Sequence, residues 1–291
     1  MENLAKRLDE EDVITVLKFF TVSFVVLPLL PDKEIIRGLN PSEVWKFVIL
    51  VSSVDFVGYF LLRYKGTGSL IITALIGGIP SSTAVTMAFS SLSQKLPHLS
   101  ELFFFSVILS WIVMFLRVIF YTFLVFKGMI YKLIFLLFPY FALLLLFALL
   151  LYLRGVKNHR ESESVSIKNP FSLSQAFTFG LIYSAISIVS YHLKAQFGNE
   201  GIYILSFISG VMDIDAITLL LARLSDKGEI GINVASMGIL LAVMSNNLFK
   251  SGYAVIFGSK KIKLYFSLVA ICTLFYTIIL LTLFDKLHIS S

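Results

Sequence analysis

Leu75-Ile76-Gly77-Gly78-Ile79-Pro80-Ser81-Ser82-Thr83-Ala84 and Phe207-Ile208-Ser209-Gly210-Val211-Met212-Asp213-Ile214-Asp215-Ala216 each lie in the middle of a long apolar run, with Ser81 or Asp213 three places after a glycine. Glycine or proline followed by a polar residue is how a helix is broken and restarted, the polar side chain capping the second half. At membrane depth such a break leaves backbone groups unpaired, and it is tolerated only where protein or a water-filled cavity satisfies them. The two segments are copies. Sliding the chain on itself by 132 residues aligns 52–94 with 184–226 without a gap, matching Tyr59 to Tyr191, Gly78 to Gly210, Ala84 to Ala216 and Thr86 to Thr218. A second stretch, 113–128, aligns with 243–258 after a two-residue slip. Matched interruptions in both halves of a transport fold are the best sequence pointer to a substrate site.

The runs around these segments set the class. Hydrophobic residues make up 57% of the chain and charged ones 14%, against about 25% charged in soluble proteins. A helix crosses the bilayer with about 20 apolar residues, and runs of that order lie near 13–30, 44–63, 68–93, 101–126, 129–153, 171–194, 199–224, 230–257 and 262–284. The expected fold is therefore an all-α polytopic membrane protein with about nine transmembrane helices, in two tandem four-helix repeats each with a broken helix. Its parts are an N-terminal helix and loop (1–43), repeat one (44–153), a polar linker (154–169) and repeat two (170–291).

If every run spans, four helices per repeat make the copies parallel. If the two broken runs dip in and return, seven spans remain and the repeats are inverted. Each broken run has about 26 residues and reaches roughly 39 Å as a helix, so length favours nine spans and parallel repeats. Basic residues outside the membrane interior then divide 11 to 11; with seven spans they divide 13 to 9 in favour of a cytoplasmic N-terminus, a mild bias.

An ionised carboxylate at the bilayer centre costs at least about 2.5–3.5 kcal/mol and is kept only for a reason, so Asp213 and Asp215 are the sharpest candidates. Two carboxylates at a helix start are placed to converge on one hard cation or to share a proton; otherwise Asp213 is simply an N-cap. Asn246 and Lys250 lie one turn apart on the eighth helix, beside Asn247, and a buried Lys250 would take Asp213 or Asp215 as its counter-ion. Arg117 occupies the corresponding helix of repeat one. Asp55 is placed to add a third carboxylate, and Ser81, Ser82 and Thr83 neutral oxygens, although hydroxyls in membrane helices often bond back to their own backbone.

Other chemistry is not indicated. One cysteine, Cys272, builds neither a disulfide framework nor a thiolate cluster. The histidines, His98, His159, His192 and His288, are dispersed, with no zinc spacing and no catalytic constellation. Met1 to Asp12 lack the pattern of a cleaved signal peptide. The basic residues are scattered over every loop, which excludes a nucleic-acid patch.

Asp12-Val13, Leu27-Pro28-Leu29-Leu30-Pro31-Asp32, Leu39-Asn40-Pro41 with Trp45, Phe56-Val57-Gly58-Tyr59, Gly77-Gly78 with Ser81-Ser82-Thr83-Ala84-Val85-Thr86, Val113-Met114 with Arg117, Gly210 with Asp213-Ile214-Asp215-Ala216, and Ser245-Asn246 with Lys250 form an ordered series. It resembles the uncharacterised transmembrane domain that usually follows an MgtC/SapB domain in one chain. The resemblance implies an association with magnesium-related MgtC proteins; the MgtC-like helices are missing here, so the domain works alone or beside a separate MgtC-like membrane subunit. The resulting expectation is a non-enzymatic protein of the cell membrane, in contact with lipid and alone or as a homo-oligomer. It is a transporter or channel-like protein for a small ion, foremost Mg²⁺ as substrate or bound ion and with no other cofactor, with a site at the broken helices and Asp213 and Asp215 as metal ligands. The rival expectation is a non-transporting MgtC-related regulator or assembly partner.

Overall fold

The computed structural model describes residues 10–36, 39–65, 70–155 and 173–288. Nearly all of the expected linker lies outside them. The helices are α1 (Glu10–Phe20), α2 (Pro41–Lys65), α3 (Leu70–Lys95), α4 (Ser100–Val125), α5 (Ile130–Gly155), α6 (Leu173–Met212), α7 (Ile214–Asp226), α8 (Ile232–Phe257) and α9 (Lys260–His288), and no strand is present among the described residues. The chain is an all-α polytopic membrane protein. By length and composition, seven stretches suffice to cross a membrane, from Pro41–Leu62 to Lys260–Leu283, and the shorter Val13–Leu29 precedes them.

Local chemistry places the ends. α1 passes into a π turn over Thr21–Val26 and a 3₁₀ turn over Leu27–Leu29, where Pro28 lacks the N–H needed to continue. Asn40 starts α2: its Oδ1 accepts from the N–H of Ser42 at 3.0 Å and of Glu43 at 3.3 Å, with Pro41 at the first helical position. α6 is two helices joined at Gly198, whose φ of +59° is a conformation glycine adopts freely. The chain reverses there, because a Cβ on Gly201 would collide with the Leu193 carbonyl, whereas residues eight apart in a straight helix are about 12 Å apart.

A second reversal follows at Asp213. A Cβ on Gly238 of α8 would meet Leu221 Cδ1 at 2.7 Å and Ser206 Oγ at 2.8 Å. Ser206 and Leu221 are fifteen residues apart, roughly 22 Å along an unbroken helix, so both can touch one glycine only if the segment folds back at Asp213. Consistently, Lys194 before the Gly198 turn bonds the carbonyl of Glu229 beyond α7. The stretch 199–226 thus enters and leaves by one face.

α3 does the same from the other face. α2 begins beside the end of α7, where Glu43 pairs with Arg223, and it crosses to the opposite side. There the end of α3 meets the α8–α9 turn, with Ser259 N donating to Ser93 Oγ at 2.9 Å and the hydroxyls of Ser100 and Ser259 2.8 Å apart. α3 therefore enters and returns on that side, turning at Ser81 (φ −159°, ψ 97°).

The nine apolar helical segments are all present, and each repeat holds four with one broken, but the parallel arrangement favoured on length is corrected. Tyr140 of α5 reaches Thr273 of α9 at 2.7 Å while Leu136 reaches Tyr276 at 2.6 Å, so α5 and α9, which are copies, run antiparallel. α5 runs alongside α8, joined by Lys132 to Asn233 and by Tyr140 to Asn247. α4 stacks back on α5 through Phe115–Phe141 and Phe105–Tyr152, so α4 and its copy α8 are antiparallel too. The repeats are inverted. The copies α2 and α6 meet where Val48 touches Gly180, its equivalent 132 residues on. Length misled because a 26-residue run divides into two halves, each long enough only to reach about the midplane.

Candidate functional site

The tips of the two hairpins are built alike. At each break one extended residue caps the returning helix: Ser81 Oγ accepts from Ala84 N at 3.1 Å, and Asp213 Oδ1 accepts from Asp215 N at 2.8 Å and Ala216 N at 3.0 Å. Each incoming half-helix packs backbone to backbone on the next long helix through glycine. A Cβ on Gly78 would lie 2.9 Å from Ser110 Cα of α4, and one on Gly210 would overlap Ala242 of α8.

Breaking a helix strands the last carbonyls of its first half. Side chains of the following helix satisfy them. In repeat one, Arg117 Nη1 donates to the carbonyls of Ile79 and, at 3.2 Å, Pro80. In repeat two, Asn246 Nδ2 donates to Gly210 O at 2.8 Å and Ser245 Oγ to Phe207 O at 2.6 Å.

The two tips are then tied across the repeats. Arg117 Nη2 lies 2.8 Å from Asp215 Oδ2, both side chains over nine-tenths buried. Lys250 of repeat two, 1% exposed, donates to Ser82 Oγ at 2.8 Å, with Met114 Sδ at 2.9 Å and the Trp111 ring centroid at 5.2 Å. The expected pairing is corrected here: the ion-pair partner of Asp215 is Arg117, while Lys250 takes neutral partners in repeat one. The four-residue spacing of Asn246 and Lys250 gave their shared face but not the neighbouring helix that each would reach.

Between the tips lies a cavity of about 290 Å³. Asp55, Ser81, Ser82, Thr83, Arg117, Asp213, Asp215 and Asn246 all line it, and Lys250 stands behind Ser82 and Met114. Three residues of the lining carry an acceptor that is buried without a hydrogen-bond partner: Oδ1 of Asp55, of Asp215 and of Asn246. The lining carries three carboxylates and one guanidinium. Arg117, the Lys250 ammonium behind Ser82 and about +0.5 charge at each of the two half-helix N-termini together offset these three carboxylates.

Asp213 and Asp215 do not stand as a bare carboxylate pair, since one oxygen of Asp213 is spent on capping and one of Asp215 on Arg117. Among the described residues no group of three or more His, Cys, Asp or Glu is arranged to hold a metal ion. Sequence reasoning missed Gln175 and Thr178, which line the cavity from the start of α6. Their signal was two polar residues opening an apolar run. It also missed Arg223, which binds Glu43 and sits 5.9 Å from the Phe47 ring. A lone arginine near a helix end gives no signal of its own.

Residues 49–258 match the family model described as a domain of unknown function (DUF4010). An uncharacterized protein of Aquifex aeolicus (strain VF5) is 77% identical over 230 residues, which is 79% of this chain and all of the relative. No solved structure matches. The chain belongs to the DUF4010 family.

Proposed function

We propose that this DUF4010 protein carries a small hard cation across the membrane, a divalent ion such as Mg²⁺, through the cavity between its two hairpin tips. One observation carries the reading: Asp55, Asp215 and Asn246 line one cavity, and each holds a buried oxygen, Oδ1, that has no hydrogen-bond partner. A buried acceptor without a partner costs about 1–3 kcal/mol, more when it is charged. Three around one space are an expensive arrangement, and a cation repays it. All three are hard oxygens. Mg²⁺ is commonly bound by one or two carboxylates while keeping several waters, so a lining without a full protein cage suits it. Hairpins entering from opposite faces also offer each side of the membrane its own gate to one fixed site, as alternating access requires.

A protein that merely locked its helices together would need Arg117 and Asp215 but gains nothing from the idle oxygens. Flux into liposomes holding the purified protein, measured across a panel of divalent and monovalent cations, tests the proposal. Saturable uptake of a divalent ion, lost in Asp215→Asn, is expected. Protein-free rates for every cation would leave the regulator reading standing.

A further inference from the structure

We infer that Arg117 is a tethered counter-cation, which neutralises the site when it carries no cargo and so allows the carrier to return empty. The inference rests on the cation-carrier reading and adds the transport mode. The guanidinium is held at two places at once: Nη1 on the carbonyls of Ile79 and Pro80 at the tip of α3, and Nη2 on Asp215 at the tip of α7. Its Nε is buried and has no partner. A cation arriving at the unpartnered Oδ1 of Asp215 draws the carboxylate charge away from Nη2 on its Oδ2. The group that gives way keeps its bonds to the two carbonyls, so Nη1 does not lose its acceptors.

The second basic side chain gives the contrast. Lys250 bonds Ser82 and touches Met114, so it can hold the α3 tip but does not neutralise Asp215 at contact distance. Of these two basic side chains, Arg117 alone is in contact with the acid that the cargo would neutralise. Reorientation moves the tips past apolar surroundings, and an unpaired carboxylate there is costly. With cargo bound, the cation neutralises Asp215. Without cargo, Arg117 does.

Removing the charge should therefore turn a net carrier into an obligatory exchanger. In liposomes, net Mg²⁺ uptake down a gradient and isotope exchange at equal Mg²⁺ on both sides are measured on the same preparations. The unsubstituted protein performs both. Arg117→Gln is expected to lower the ratio of net uptake to exchange, measured on one preparation, at least about tenfold. Arg117→Lys, which keeps the charge, is expected to retain both. Exchange also reports folding, since a collapsed variant shows neither activity. If Arg117→Gln cannot be produced folded, Arg117→Lys decides: net uptake retained supports the counter-cation, and exchange without net uptake overturns it. Equal net uptake and exchange in Arg117→Gln overturns it as well. Absence of both activities in the unsubstituted protein removes instead the carrier reading beneath it.

Discussion

Ser81 and Asp213 occupy one backbone position in two copies of the same hairpin, at φ −159°, ψ 97° and φ −156°, ψ 116°, and each caps the alanine three residues on. The copies differ in charge, not shape. Asp213→Ser should therefore keep the start of α7 and leave the melting temperature near that of the parent, while weakening cation binding by removing one carboxylate from the cavity. Asp213→Ala loses the cap and about 1 kcal/mol. Thermal melts in detergent with and without Mg²⁺ separate the two effects.

Arg117 and Asp215 form a buried pair, so removing one partner strands the other. Either Arg117→Gln or Asp215→Asn should destabilise by about 3–5 kcal/mol if nothing relaxes, and the double substitution by less than the sum. Phe115→Leu, a neighbour without polar partners, serves as the control. Strictly additive losses would show that the two side chains do not meet in the membrane.

Lys250 presents the opposite case. Its hydrogen-bond acceptors are a hydroxyl and a thioether, and a buried ammonium so placed recovers little of its desolvation. Lys250→Met should leave the melting temperature unchanged or raised. A drop of several degrees for Lys250→Met alone would contradict this.

Inverted repeats place Lys95 and Lys260 on one face and Lys127 and Lys227 on the other. Parallel repeats would put Lys95 and Lys227, related by the 132-residue shift, on the same face. Single cysteines at these four exposed positions in a Cys272→Ser background, labelled from outside sealed vesicles, should react in the pairs 95 with 260 and 127 with 227.

Outside the membrane, the amide of Asn40 and then the ammonium of Lys46 hold Asp32 below the usual carboxylate range. A depressed folded value stabilises above the unfolded value of about 3.9 and the contribution is lost as pH falls through the folded one. Carbon NMR titration of Asp32 should show a midpoint that moves upward in Asn40→Ala. An unmoved midpoint would mean that the loop does not hold this arrangement in solution.

The sequence made the repeat and its breaks legible because both are local: glycine, proline and a capping side chain at fixed spacing. It also nominated Asp55, Arg117, Asp213, Asp215 and Asn246, since charge and amide groups within apolar runs announce themselves by cost alone. Direction was not legible. A run of 26 residues satisfies the length of a crossing whether or not it crosses, and it takes the neighbours of Gly238 and the Lys194–Glu229 bond to bring residues 206 and 221 side by side. Partner choice was hidden for a related reason: Arg117 and Asp215 are 98 positions apart, and which basic group meets which acid depends on how the two halves are turned.

Because the halves are turned upside down with respect to one another, each leaflet meets almost the same protein. A hairpin tip, a pair of long helices and their connecting turn face either way. Shape therefore gives the insertion machinery little by which to tell top from bottom, and the decision falls to the basic residues, which a seven-span count of the sequence divides 13 to 9. Four lysines added to the turns around Lys127 and Lys227 would erase that margin, and a population inserted in both senses is the expected result.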